Sequence, residues 1–275
     1  MNSFISWVGG KKALRELIVS LFPLRYKKYV EVFGGGGWVL FHKPPGRDFE
    51  VYNDYNSLLV NLFRTVQSRW KCKKMQKLLT YSINSREEFN RIRKAMNTAE
   101  RIPPVRRAAY YYQLIRYSYA SSLTSFGGQP HDIRADFPLM DMATIRLKDV
   151  VLENKDFANL IRGLDSKDTF FYCDPPYHNS EGFYKNVGGF TEEDHIRLRD
   201  TLLPIKGKFL LSYNDDAFVR ALYDKPGIYI MELSRLHNMK QRFEAGSEFP
   251  ELLIANYNIF DPSELASAQT SLFYM

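Results

Sequence analysis

The run Thr169-Phe170-Phe171-Tyr172-Cys173, followed by Asp174-Pro175-Pro176-Tyr177, constrains this chain more than any other stretch. The run is apolar and aromatic, which reads as a buried strand, and two successive prolines can continue neither strand nor helix. The strand therefore stops at a rigid turn on its carboxyl end, the edge where open α/β sheets bind ligands. Asp174 presents a carboxylate acceptor, the Pro175 carbonyl a second, and Tyr177 a flat face. That combination suits a planar group bearing an NH2, either an amide or the exocyclic amine of a nucleobase. A strand followed by Asp-Pro is also a common turn in which Tyr177 is simply packed. The tetrapeptide alone leaves both readings standing.

Two glycine turns come early in the chain. Trp7-Val8-Gly9-Gly10-Lys11-Lys12 precedes an amphipathic helix expected from Ala13 to Leu21 and ended by Pro23. Its glycines let the backbone approach a ligand, and Lys11 brings a point charge. Tyr29-Val30-Glu31-Val32-Phe33 reads as a short strand running into Gly34-Gly35-Gly36-Gly37 and a helix from Trp38 to His42. Strand, glycine turn and helix open a nucleotide-binding βαβ unit, and an acid about 20 residues on accepts hydrogen bonds from ribose hydroxyls. Asp54, closing a second strand from Val51, stands at that place.

In this order the segments resemble the Dam-like (D12 class, alpha group) DNA adenine-N6 methyltransferase family. Asp174-Pro175-Pro176-Tyr177 resembles its motif IV, Trp7-x-Gly-Gly-Lys11 its motif X, and Phe33 with the glycines and Asp54 its motifs I and II. The family usually has Pro where Val32 stands and a small residue where Trp38 stands. The resemblance implies an α/β, Rossmann-like S-adenosylmethionine-dependent methyltransferase fold with an inserted, mostly helical target-recognition domain. The catalytic domain would be 1–65 with 150–275, and the recognition domain 66–149. Trp7, Lys11, Phe33, Gly34, Gly35, Gly37, Asp54, Asp156, Phe157 and Asp174 would bind the cofactor. Asp174, Pro175, Pro176 and Tyr177 would be catalytic, with Tyr177 stacked on an adenine flipped out of duplex DNA. Asp156-Phe157 is the family's adenine-binding pair by position, yet Asp156 reads equally as a helix N-cap.

Charge supports a nucleic-acid partner. The chain has a formal net charge of +7, but Arg64 to Arg107 holds 13 basic residues against 3 acidic ones, so the remainder is slightly acidic. Such a stripe is either a nucleic-acid footprint or a solvated helix face. Within it, Ser85-Arg86-Glu87-Glu88 has capping-box spacing for a helix from Arg86 to Met96. A helix from Asn56 to Arg69 precedes it. A further helix carries Tyr110, Leu114, Ile115, Tyr117 and Tyr119, whose aromatics read as core. A long polar loop then runs from Ser125 to about Pro138. Lys71, Lys73, Lys74 and Arg116 are candidate phosphate contacts, Ser125, Gln129 and Arg134 candidate base contacts, and Tyr184 and Lys185 candidate DNA contacts after motif IV.

The later strands read as Lys208 to Asn214, Ile228 to Leu233 and Leu252 to Tyr257, with a helix capped by Thr191 between motif IV and the first of them. Cys72 and Cys173 have neither metal nor disulfide-framework spacing, and no run approaches the length of a membrane span. A cytoplasmic enzyme needing no metal, acting on double-stranded DNA and not on a membrane, is the expectation; a restriction endonuclease in the same system is a compatible partner. N4 of cytosine poses the same chemical problem as N6 of adenine. A catalytically silent DNA binder and a dinucleotide-dependent oxidoreductase are the competing classes. Intact Lys11 and Asp174 argue against the first, and the motif IV turn against the second.

Overall fold

The computed structural model describes residues 1–98, 101–179, 189–233 and 250–266. The chain divides into two compact units: Met1–Glu16, Gly34–Gly46 and Glu50–Asn154 in one, and Leu17–Phe33, Arg47–Phe49 and Lys155–Met275 in the other. A short helix, α1 (Arg15–Ser20), lies at their sequence junction and is shorter at both ends than its apolar spacing suggests.

In the first unit, α2 (Trp38–His42) follows the glycine turn, as read from the sequence. Strand β2 (Phe49–Asn53) pairs in parallel with β3 (Val151–Glu153), setting Val51 opposite Val151 and Asn53 opposite Glu153. Helix α3 (Ser57–Gln67) starts where Asn56 accepts the amides of Leu58 and Leu59, and it buries Leu59, Leu62, Phe63 and Val66 along one face. The expected continuation to Arg69 breaks at Ser68, whose extended backbone separates α3 from α4 (Arg69–Leu79). Helix α4 buries Cys72, Met75 and Leu79 and exposes its lysines. α5 (Arg86–Asn97) begins as its capping signal requires, with Ser85 Oγ accepting the Glu88 amide at 3.1 Å.

Helix α6 (Pro104–Tyr117) opens with proline at its first position, where a missing N–H costs nothing. It is the hub of this unit, packing on α3, α4 and α5. Leu114, Ile115 and Tyr117 are core as expected, whereas Tyr110 is half-buried and Tyr119 is 48% exposed. The polar loop ends in a 3-10 turn at Ile133–Asp136, and α7 (Phe137–Arg146) follows and packs on α3 and α4.

Among its described residues, the second unit holds five strands in the order β1-β4-β5-β7-β6: β1 (Lys28–Glu31), β4 (Thr169–Cys173), β5 (Lys208–Asn214), β6 (Tyr229–Leu233) and β7 (Glu251–Ala255). β1, β4 and β5 are parallel, with Val30 opposite Phe171 and Phe171 opposite Phe209. β7 runs antiparallel to both β5 and β6, with Ile254 facing Leu211 and Ile230. Every residue of β4 is buried, which is why it reads as an unbroken apolar run and not as an alternation. Helices α8 (Phe157–Leu164), α9 (Glu192–Leu202) and α10 (Ala217–Tyr223) lie in the same unit. The N-terminus of α9 carries the capping box of Thr191 and Asp194.

One buried ionic group ties the first unit together. Glu50 on β2 accepts from Lys43 at 3.0 Å and from both terminal nitrogens of Arg146, at 2.6 and 2.8 Å. All three side chains are at most 9% exposed. Arg146 also donates to the carbonyl of Leu40, so the end of α7 is fastened to α2 and β2 at once. Replacing Glu50 by Ala removes the carboxylate from between two buried cations. It should lower the free energy of unfolding by about 3–5 kcal/mol in urea titrations; a loss below about 1 kcal/mol would mean the cations find solvent.

Candidate active site

The turn after β4 is built as the prolines demand. Cys173 pairs with Leu211 of β5, and the chain leaves the strand with Asp174 half-buried, Pro175 buried and Tyr177 half-buried. The neighbouring Cys173 thiol is pushed far up by burial and by the adjacent Asp174 charge, so it is an inert core group. Tyr213 on β5 lies behind Tyr177, with ring centroids 6.1 Å apart. Its hydroxyl shares a hydrogen bond with Nδ1 of His195 on α9. Burial, aided by the charge of His178, holds His195 down to about 4, so it is neutral at pH 7.

In the first unit, the glycine turn and Asp54 close on each other. Gly35 N–H donates to Asp54 Oδ2 and Asn56 N–H to Oδ1, both at 2.8 Å. The residue is half-buried, and desolvation raises its pKa to about 6 against the pull of those two amides. A carboxylate with one lone pair per oxygen left over is a receptor for hydroxyl donors, which is what a ribose offers. The ring of Tyr52 passes under the turn, stacked on Phe63 at 4.2 Å and donating to the Gly35 carbonyl at 2.7 Å. A Cβ on Gly34 would stand 2.1 Å from that ring, so only glycine fits there. Gly37 is the N-cap of α2, and its N–H donates to the Gly34 carbonyl at 2.7 Å.

The loop from Trp7 to Lys11 belongs to the same unit. Trp7 is half-buried against Gly35, while Lys11 is buried and donates to the Gly9 carbonyl at 3.3 Å. The bulky Trp38 is accommodated by Gly10, where a Cβ would meet the indole at 2.7 Å. Lys12 and Arg15 each hold a cation 5.7 Å from that indole's centre.

In the second unit, Phe33 lies past the end of β1, and its ring meets Phe157 at 5.5 Å and Phe190 at 5.8 Å. Asp156 caps α8, accepting from Ala158 and Asn159. It also takes a 2.8 Å hydrogen bond from Arg197, whose guanidinium stands 4.0 Å over the Phe157 ring. The N-cap reading of Asp156 is the one these hydrogen bonds show. Arg197, Phe190, His195 and Tyr213 escaped the sequence reading. The first had a signal in Asp194, three residues earlier on α9; the rest are isolated residues without motif spacing.

The proposed DNA contacts divide by what they already hold. Lys71 is exposed, and Lys74 is exposed with its ammonium 5.2 Å from the exposed Trp70 ring. Lys73 is held by Asp141 at 2.7 Å. Arg116 is largely buried, donating to Asp136 at 2.7 Å, His131 at 3.1 Å and Ser6 at 3.2 Å. Ser125 and Gln129 are exposed, and Arg134 is exposed in a two-point pair with Asp132. Tyr184 and Lys185 lie outside the described residues.

The model of the D12 class N6 adenine-specific DNA methyltransferase family matches residues 7–239 of the chain. The chain belongs to this family. Three relatives agree with that placement. The type II methyltransferase M1.LlaDCHI of Lactococcus lactis subsp. cremoris is 28% identical over 94% of this chain and 96% of its own. The type II methyltransferase M.CviBI of Paramecium bursaria Chlorella virus NC1A is 23% identical, covering 82% and 87%. The DNA adenine methylase of Haemophilus influenzae is 25% identical, covering 80% and 82%. The protein is therefore a DNA adenine-N6 methyltransferase with the mixed α/β fold of that enzyme class. Among the described residues, no helix of this methyltransferase is long and apolar enough to cross a membrane.

Burial raises the Asp54 carboxyl to about 6, inside the range of ordinary assay buffers. It should be protonated below about pH 6 and ionised above. The Gly35 amide resonance, bonded to that carboxylate, should move with a midpoint near pH 6, and Asp54→Asn should abolish the movement. A midpoint at the ordinary value near 4 would show that water relaxes the site.

Proposed function

We propose that the methyltransferase takes its methyl group from S-adenosylmethionine and delivers it to an adenine rotated out of duplex DNA onto Tyr177. The observation that carries this reading is the pair of acceptors, Asp174 and the Pro175 carbonyl, fixed at the end of β4 immediately before an aromatic ring. The amine of adenine is a weak nucleophile because its lone pair is delocalised into the ring. Asp174 and the Pro175 carbonyl accept its two hydrogens, which favours a pyramidal nitrogen with the lone pair directed away from them. When bound, S-adenosylmethionine supplies an electrophilic methyl on a sulfonium. Pro175 and Pro176 hold the acceptors still, so the reaction is accelerated by alignment. Tyr177 stacks on the extruded base and offsets part of the few kcal/mol that unstacking costs.

In this reading Asp54 accepts the ribose hydroxyls, Phe33, Asp156 and Phe157 receive the adenine of the cofactor, and Trp7, Lys11, Gly34, Gly35, Gly37 and Asp174 line the remainder. Both oxygens of Asp54 are aimed and half-satisfied by backbone amides, which suits hydroxyl donors. Residues 66–149 form the target-recognition part, an inserted and mostly helical segment of α4 to α7. Lys71 and Lys74 contact phosphates, and the Ser125 to Arg134 loop reads base edges. Arg116, tied to Asp136, His131 and Ser6, shapes that loop from beneath. The enzyme works in the cytoplasm without a metal, and a restriction endonuclease of the same specificity is the partner such a modification enzyme protects against.

Mass spectrometry of nucleosides from duplex DNA treated with protein and S-adenosylmethionine should find N6-methyladenine. N4-methylcytosine alone, or no modified base, would overturn this reading. Reversing Lys71 and Lys74 to Glu should weaken binding to all sequences alike and reduce the slope of log affinity against log salt by about 0.9 per lost contact. A changed methylation site with an unchanged slope would move these lysines from phosphate to base contact.

A further inference from the structure

The chain leaving Tyr177 is gripped by groups that the methyl-transfer scheme above does not use. The His178 carbonyl accepts from Asn214 at 3.2 Å. The His178 ring stacks on Phe218 at 4.6 Å, with Nδ1 3.0 Å from Asp216 and Nε2 3.4 Å from Glu192. Asn179 adds a 3.3 Å hydrogen bond to the second oxygen of Asp216. Two prolines stiffen the chain on the other side of Tyr177, so its backbone is fixed from both directions. What remains is the direction of its ring, and the ring of Tyr213 is the surface behind it.

Tyr213 is itself tethered. It is fully buried, and its hydroxyl is held by Nδ1 of His195, a residue with no exposed surface at all. A buried polar ring costs stability unless partnered, so an apolar residue would serve packing better. His195 also faces the opposite way: the Phe190 ring meets it edge-on at 4.7 Å, and Phe190 touches Phe33 and Phe157 at 5.8 Å each. A continuous line of ring contacts thus runs from Phe33 and Phe157 through Phe190, His195 and Tyr213 to Tyr177.

We propose that His195 and Tyr213 are positioning residues that set the Tyr177 ring and link it to the rings receiving the cofactor's adenine. The inference rests on the reading that Tyr177 stacks on the target base. A ring held in its stacking orientation before the base arrives loses less freedom on binding it.

Single-turnover methylation of a saturating duplex isolates the step, since its rate constant does not depend on the fraction of protein folded. Tyr213→Phe deletes only the hydroxyl and should slow it about threefold to tenfold, the size of one lost hydrogen bond, leaving KM for S-adenosylmethionine unchanged. His195→Leu, which keeps the volume, should slow it similarly, and His195→Asn, which keeps a hydrogen-bonding group near Nδ1, should recover most of the rate. Combining Tyr213→Phe with Tyr177→Ala should cost no more than Tyr177→Ala alone. Wild-type rates in both Tyr213→Phe and His195→Leu, or losses that add in full to that of Tyr177→Ala, would overturn the proposal. If Tyr177→Ala is itself fully active, the stacking reading falls and the positioning role with it. If Tyr177→Ala is slow while Tyr213→Phe is not, only the positioning role falls.

Discussion

Everything proposed for this methyltransferase depends on β4 being buried on both faces and stopped dead by Pro175 and Pro176. Its neighbours β1 and β5 run parallel to it, and all five of its side chains lie in the core. Because its register against Phe209 to Leu211 is fixed by that packing, Asp174 emerges at a determined height. The prolines then remove the torsional freedom that would let the acceptors drift. A small set of rigid backbone constraints thus sets where the carboxylate leaves the sheet.

Electrostatics elsewhere in the molecule follows the same economy. Where charge is buried deeply, at Glu50 with Lys43 and Arg146, every member has a partner, as the cost of a lone buried ion requires. Where a carboxyl has no cationic partner but only backbone amides, at Asp54, its pKa rises to about 6. The difference is one of partners: buried cations around Glu50, backbone amides at Asp54.

Much of this was legible in the sequence, for physical reasons that can be named. β4, β5, α2 and α9 fall where continuous apolar runs, the glycine turn and the Thr191 cap place them. Helix α4 was hidden because its solvent face is almost entirely basic and drew attention from the buried Cys72, Met75 and Leu79. Trp38 departs from the family's small residue, and the adjustment lies far off in sequence, at Gly10. Charged side chains were least legible: Arg116 and Lys73 read as candidate phosphate contacts, and nothing in the sequence shows their partners, Asp136 and Ser6 for the first and Asp141 for the second. Ion pairing across 20 residues, as in Arg116–Asp136, or 68, as in Lys73–Asp141, leaves no local signature.

The claim that the turn after β4 works by orienting the amine is tested most directly by single-turnover methyl transfer in Asp174→Ala. The account predicts a fall of at least about a hundredfold in the chemical step, the scale seen when one oriented polar group is removed from an active site. Affinity for DNA should stay within a few fold of the unmodified protein. A variant that transfers methyl groups at the original rate would contradict the account.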